Sequence, residues 1–309
     1  MTDIILHHYA MSPFAEKVRI GLGLKQAAWK SVDIPNVMPK PDLMPLTGGY
    51  RKTPVMQVGA DIYCDTQLIM LELERRLPSP PFLPKGREGE ARAITMWIDR
   101  SIFSPAVGVV MSQKADMFGE AFKKDRSEFS GRSFDPERLR AALPIVRDQT
   151  YALLTLAEAM LADGRKFVLG SEPGLADCAL YNPVWFIQER LGRTASPLDR
   201  LPGIVAWSER MKALGEGKRT DIKAVDALEI AKVAKPAPTS VDASDPSGLK
   251  AGQKLSVTPD DTGKVPVTGT LVGLTVDRIS IARNDPRVGD VVVHFPRAGF
   301  IVQAASPSS

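Results

Sequence analysis

A chain of 309 residues is longer than one hydrophobic core ordinarily serves, so two or three domains are expected. Hydrophobic residues make up 44% and charged residues 25%, an ordinary globular balance, and a net charge of +4 with interspersed signs carries no nucleic-acid footprint. No apolar run is long enough to span a bilayer and Ile4-Ile5-Leu6 is too short for a secretory core, which predicts a cytoplasmic protein without membrane or nucleic-acid partners.

The first element is a short apolar strand, Ile4-Ile5-Leu6-His7-His8, running by way of Tyr9 into Ser12-Pro13-Phe14. Ser12 suits an N-cap, Pro13 suits the first helical position, and Phe14, Val18 and Leu22 repeat at i, i+4 and i+8, so a helix starts here. Its free N–H groups and dipole favour an anion beside Ser12. His7 and His8, adjacent in a strand, point to opposite faces and cannot chelate one metal, so a structural role is expected. A connection rich in proline follows, with Pro35, Pro39, Pro41, Pro45 and Gly48-Gly49. The strand Thr53–Val58, a corner at Gly59-Ala60-Asp61, and the strand Ile62-Tyr63-Cys64 then lead to Asp65-Thr66, which open a helix carrying Leu68, Ile69, Leu73 and Leu77. The β-α-β then β-β-α order is thioredoxin-like over residues 1–80 and stops at Pro78-Ser79-Pro80-Pro81. Cys64 and Cys178 form no metal or dithiol motif, and Cys64 between a strand and a helix cap is expected to be buried and inert.

Residues 87–234 read as an all-α domain. Leu139, Leu143, Val146, Thr150, Leu153, Ala157 and Met160 form one stripe; Ile94, Trp97, Ile98 and Ile102 form another; Trp97, Trp185 and Trp207 are expected in the core. A break at Lys235-Pro236-Ala237-Pro238 precedes a change of composition, since residues 236–309 lack Glu, Met, Trp, Tyr and Cys. Candidate strands at 254–258, 267–274, 278–283, 291–295 and 300–303 suggest a separate small β-barrel, SH3-like, over 246–303. The seven basic residues of 236–309 balance seven aspartates, which argues against nucleic acid, and apolar residues on both faces of 267–274 require cover from elsewhere.

These motifs, taken in order, resemble the cytosolic glutathione transferases over residues 1–235. Ser12-Pro13-Phe14 is similar to the Ser-Pro-Phe of serine-type classes such as tau, and Pro13-Phe14-Ala15-Glu16 to the Cys-Pro-Phe-Ala-Glu of the omega class, with Ser12 in place of cysteine. Lys52-Thr53-Pro54-Val55 is similar to the Lys-Val-Pro-Val that holds the family's cis-proline, and Asp65-Thr66 stands where the family has Glu-Ser or Asp-Ser. Gly170-Ser171-Glu172-Pro173-Gly174-Leu175-Ala176-Asp177 resembles the Gly-x-x-Pro-(Ser/Thr)-x-Ala-Asp capping motif, departing at Gly174. Leu201–Met211 resembles the late Pro-x-hydrophobic-x-x-Trp helix.

The resemblance implies a thioredoxin-like domain, an all-α domain and a glutathione transferase activity of the detoxification kind, usually as a homodimer, with the β extension outside the family pattern. Glutathione is the implied co-substrate, no metal is needed, and a hydrophobic electrophile is the second substrate. A free thiol with a pKa of roughly 8.5 is only a few per cent ionised at pH 7, so the catalyst must favour thiolate. The resemblance assigns that to the Ser12 hydroxyl, with Tyr9 second, because tyrosine-type members place their hydroxyl near the end of the first strand. It assigns the peptide to Phe14, Lys52, Thr53, Pro54, Asp65 and Thr66: Thr53 to the cysteinyl backbone, Asp65 and Thr66 to the γ-glutamyl carboxylate, Lys52 to the glycyl carboxylate. Singly, Asp65 and Thr66 are ordinary caps and Lys52 an ordinary solvated lysine; the motif order is what assigns them. The electrophile falls to the interdomain cleft, with Met11, Phe103, Val107 and Met111 as its lining. Two rivals stand: a thiol–disulfide or deglutathionylating enzyme, which wants a cysteine at position 12, and a non-catalytic binding protein whose barrel recruits a partner.

Overall fold

Alternation along the first strand decides the architecture, because Ile5 and Leu6 point to opposite faces and both are fully buried. The computed structural model describes residues 3–305, so the first two positions of the expected 1–80 domain lie outside it. Strand β1 (Ile5–His8) is flanked by β2 (Ala28–Asp33), parallel to it, and β3 (Val55–Val58), antiparallel, with β4 (Asp61–Cys64) in a hairpin with β3. Helix α1 (Pro13–Leu24) crosses between β1 and β2, the single turn α2 (Met44–Thr47) sits in the proline-rich connection, and α3 (Thr66–Arg76) follows β4.

A helical region comes next: α4 (Glu88–Trp97), a π-helical turn (Ile98–Ile102), α5 (Phe103–Lys114), α6 (Glu120–Ser130), α7 (Pro136–Met160), α8 (Leu175–Leu191) and α9 (Pro202–Lys212). No helix among the described residues is long and apolar enough to cross a membrane. The capping motif at α8 explains its own departure from the family pattern. A Cβ at Gly174 would lie 2.7 Å from the Phe82 carbonyl oxygen, so serine or threonine does not fit. Asp177 still caps, accepting from the N–H groups of Gly174 (3.0 Å) and Val168 (2.8 Å) and from the Trp207 indole (2.9 Å).

The expected all-helical run to residue 234 is interrupted. Lys218-Arg219-Thr220-Asp221 form β5, an exposed strand parallel to β2, before α10 (Ala224–Val233). With no apolar side chain, β5 shows no alternation; only its backbone pairs, and its charges suit a sheet edge.

The extension contributes β6 (Lys254–Pro259), β7 (Val267–Leu274), β8 (Arg278–Asp285), β9 (Gly289–Pro296) and β10 (Phe300–Ala304), within one to two residues of the expected strands. They are not a separate body. The strand order β10-β6-β7-β8-β9-β4-β3-β1-β2-β5 makes one ten-stranded sheet, because β9 lies parallel to β4 with Ile62 opposite Val293 and Tyr63 opposite His294. Pairing removes an edge that β4 would otherwise leave open. A polar chain pins the register: His294 Nε2 meets Asp61 Oδ1 at 2.9 Å, its Nδ1 meets Ser280 Oγ at 2.8 Å, and its ring stacks on Tyr63 at 4.5 Å.

Two cores result. One face of β1 and β3, through Leu6 and Met56, packs with α1, α3 and the helical region, including Ile102, Cys178 and Trp207. The other, through Ile5, Val55, Ile62 and Cys64, packs with α2, Tyr50, α10 and Val257, Ile281, Val293, Phe295 and Phe300 of the extension. The extension thus shares its core with the thioredoxin-like unit.

Candidate functional site

Ser12 begins α1 in extended conformation, and its hydroxyl accepts from the Ala15 N–H at 3.2 Å. Among the described residues it donates to no protein group. The site is tightly covered: Ser12 is 2% exposed, and the Phe14 ring lies 4.2 Å from that of Phe103. Tyr9 is half-buried, its carbonyl accepting from the Ser12 N–H at 3.1 Å. Val107 and Met111, on later turns of α5, pack at the margin of the first core, and Met11 is half-buried next to Ser12 in the chain. Phe103 is thereby brought to Phe14, one of the predicted peptide residues.

Thr53 precedes β3, and the Thr53–Pro54 bond is cis, as the match to the family's proline corner predicts. Beside it sits a residue the sequence reading missed. Lys40 is 4% exposed, donates from Nζ to Thr53 Oγ1 at 2.9 Å and to the Arg51 carbonyl at 3.0 Å, and lies 5.8 Å from the Tyr9 ring centroid. No carboxylate among the described residues forms an ion pair with it. Burial, then the neighbouring Arg126 and Arg51, pull its pKa down to about 8. A lysine wedged between Pro39 and Pro41 in the connection bordering the site was the signal available.

Lys52, expected at the glycyl carboxylate, is ion-paired with Asp261 of the extension. Asp65 caps α3, accepting from the Gln67 N–H at 2.9 Å, with φ at 73°, a left-handed conformation uncommon for a side-chain-bearing residue. Thr66 is buried, its Oγ1 accepting from Lys17 Nζ at 3.2 Å, and Lys17 in turn pairs with Asp99 at 2.6 Å. Burial raises the Asp99 pKa against the pull of Lys17, and its Oδ1 has no hydrogen-bond partner among the described residues. Asp99 belongs to the π-helical turn, so this chain ties α3 to the helical region. Lys17 stands at i+3 from Phe14 on the apolar stripe of α1, which was its sequence signal.

The extension contacts Lys52, one of the residues predicted for the peptide site. Its β6–β7 loop places Asp260 Oδ1 2.9 Å from Arg100 Nη1 and Asp261 on Lys52, while Gln67 Nε2 donates to the Ala298 carbonyl at 3.4 Å. A cavity of about 110 Å³ between α3, α4 and the 276–298 turns, lined by Gln67, Leu71, Arg92, Met96, Val276 and Ala298, contains none of the predicted residues.

The histidines and cysteines are structural. His7 Nε2 bonds Gln57 Oε1 at 2.8 Å and His8 Nε2 bonds Ser31 Oγ at 3.0 Å, with burial lowering their pKa values to about 4 and about 3. Cys64 and Cys178 are buried, and burial pushes both thiols up.

Comparison with known proteins adds the following. Residues 6–81 match the family model described as the glutathione S-transferase N-terminal domain, and residues 107–219 match a second model described as a domain of unknown function. A GST-like protein from Pseudomonas syringae is 37% identical, covering 99% of this chain and 100% of its own, with a TM-score of 0.80. The tau-class glutathione S-transferase of mango, Mangifera indica, is 18% identical over 70% of this chain and 94% of its own (TM-score 0.53), and FzlA from C. crescentus 21% over 68% and 88% (TM-score 0.53); both likenesses concern the fold. No curated protein matches the chain.

Proposed function

The chain belongs to the family of glutathione S-transferase-like proteins, and we propose that it is a glutathione transferase that directs the glutathione thiolate at a hydrophobic electrophile. The observation that carries this reading is the buried ammonium of Lys40 next to Thr53 at the Pro54 corner, hydrogen-bonded among the described residues only to neutral acceptors, a cation held ready for an anionic peptide end. Glutathione lies with its sulfur at Ser12, its cysteinyl backbone on Thr53 and Pro54, its γ-glutamyl carboxylate at the Asp65–Thr66 helix start and its glycyl carboxylate at Lys40. Lys52, already paired, gives up the role first assigned to it.

The Ser12 hydroxyl donates to sulfur and the α1 N-terminus adds its field, favouring thiolate. A hydrogen bond to a charged group contributes about 1.5–3 kcal/mol, equivalent to roughly one to two pKa units. The thiolate forms the new carbon–sulfur bond while the electrophile's leaving group, or its conjugated acceptor atom, takes the displaced electron pair. Met11, Phe103, Val107 and Met111 are the residues assigned to line the electrophile's side of that event, and the Phe14–Phe103 ring contact supports the place of Phe103. Tyr9 is the runner-up for the hydroxyl.

Division into 1–80, 87–234 and 246–303, a homodimer, and an extension of SH3 type belong to the same reading; the meander order β10-β6-β7-β8-β9 supports the last, with β9 fusing it to β4. Calorimetric titration with glutathione, then turnover with a panel of electrophiles, tests the reading; glutathione binding without turnover would favour a binding protein. The near-complete cover over Ser12 speaks for that second reading. The thiol–disulfide alternative lacks support from either buried cysteine.

A further inference from the structure

Two cations border the proposed peptide site, Lys52 just before Thr53 and Arg100 just after Asp99, and consecutive carboxylates of one loop hold them, Asp261 on Lys52 and Asp260 on Arg100. The loop is fixed from several sides. The Asp260 N–H donates to the Gly299 carbonyl at 3.0 Å, the Gly263 N–H donates to the Phe129 carbonyl at 2.8 Å, and Val265 lies against Gly49. At Gly263, with φ at 58°, a Cβ would stand 2.6 Å from the Phe129 ring, so the loop crosses α6 at a contact only glycine permits.

We propose that Asp261 is a specificity-determining residue for the carboxylate end of the peptide thiol. A tethered carboxylate acts at high effective concentration, so Asp261 competes with any free carboxylate for Lys52. Lys40, which forms no ion pair among the described residues, is then the lysine that serves the glycyl end. The site consequently accepts peptide thiols bearing a single or no negative charge at that end, and gains nothing from Lys52. The Lys52 side chain is 15% exposed and that of Asp261 45%, so the pair adds little to stability while still deciding which carboxylate Lys52 meets. This inference rests on the glutathione-site reading.

The test uses the full chain and calorimetry with S-methylglutathione and its glycyl ethyl ester. Asp261→Asn, at a half-exposed position, is expected to tighten S-methylglutathione roughly two- to fivefold, the range of a partly exposed ion pair, and to leave the ester unchanged. Lys52→Ala is expected to change little alone and to cancel the gain in the Asp261→Asn background. Asp260→Asn should shift both ligands equally. No gain in Asp261→Asn, an equal gain for the ester, a gain that survives Lys52→Ala, or an ester-selective gain in Asp260→Asn overturns the proposal while wild-type binding keeps the site reading. Failure of both wild type and Asp261→Asn to bind either ligand overturns the site reading and the proposal with it.

Discussion

Replacing Lys40 with methionine separates a ligand-binding lysine from a structural one, because the two roles predict opposite changes in stability. In the free protein the ammonium is buried with only neutral acceptors, the Arg51 carbonyl and Thr53 Oγ1, and its pKa is about 8. A lysine whose folded pKa lies below its ordinary value binds fewer protons folded than unfolded, so it opposes folding below that folded pKa, and the penalty fades as pH rises through about 8 toward the unfolded value. Lys40→Met is therefore expected to raise the thermal midpoint at pH 7. The same change should remove a charge-assisted hydrogen bond to the glycyl carboxylate of about 1.5–3 kcal/mol, weakening binding roughly ten- to 150-fold. S-methylglutathione is the ligand to use, since its blocked sulfur contributes no titration. Wild-type affinity should fall by about tenfold from pH 7 to pH 9 as Lys40 loses its proton, and the variant should be flat over that range. A variant that binds as tightly as wild type, or that keeps the pH dependence, would refute the assignment.

Ser12→Ala should keep the fold, losing about 1 kcal/mol of cap energy, while raising the pKa of bound glutathione thiol by roughly one to two units and slowing conjugation about ten- to a hundredfold; thiolate absorbance reads this, and a shift in Tyr9→Phe instead would transfer the role to Tyr9. Deleting residues 236–309 should yield an aggregating chain without cooperative unfolding, since it bares Tyr50, Val55, Ile62 and Cys64 and reopens the β4 edge, and Phe295→Ala alone should cost about 3–5 kcal/mol in a denaturant titration; a soluble, cooperatively unfolding truncation would contradict the shared core. His7 and His8 are held neutral by burial with pKa values of about 4 and about 3, so the unfolded chain takes up protons first as pH falls below 6.5; stability should be full above 6.5 and drop by about 1.4 kcal/mol per pH unit for each histidine until its folded pKa is reached, and an unfolding free energy constant from pH 6.5 to 5 would sink this.

What the sequence made legible is what local chemistry writes down. Ser12-Pro13 marks a helix start, Gly59 turns a hairpin, Asp65 caps α3, and alternation places β6 to β10 within one to two residues. Lys17 and Lys40 escaped because a lysine is read as solvated by default, and only long-range packing buries these two. β5 escaped because its pairing lies wholly in the backbone. The joint of β9 with β4 links residues such as Asp61 and His294 that are 233 apart, and no local rule reports a partner at that distance.

One trace of that joint was nevertheless in the sequence. Val291-Val292-Val293-His294-Phe295 is an apolar run where an outer strand would alternate with polar residues, and such a run belongs to a strand covered on both faces, as a parallel neighbour demands. All of these residues are buried, and the one polar member, His294, is satisfied on both nitrogens by Asp61 and Ser280. Cover on both faces of β9 is incompatible with an independent appendage: once β9 pairs with β4, Phe295 and Phe300 pack on Tyr50 in the connection that carries Lys40. The β6–β7 loop is then carried to Lys52 and Arg100. The strand that cannot stand alone is what brings Asp260 and Asp261 to the rim of the peptide site.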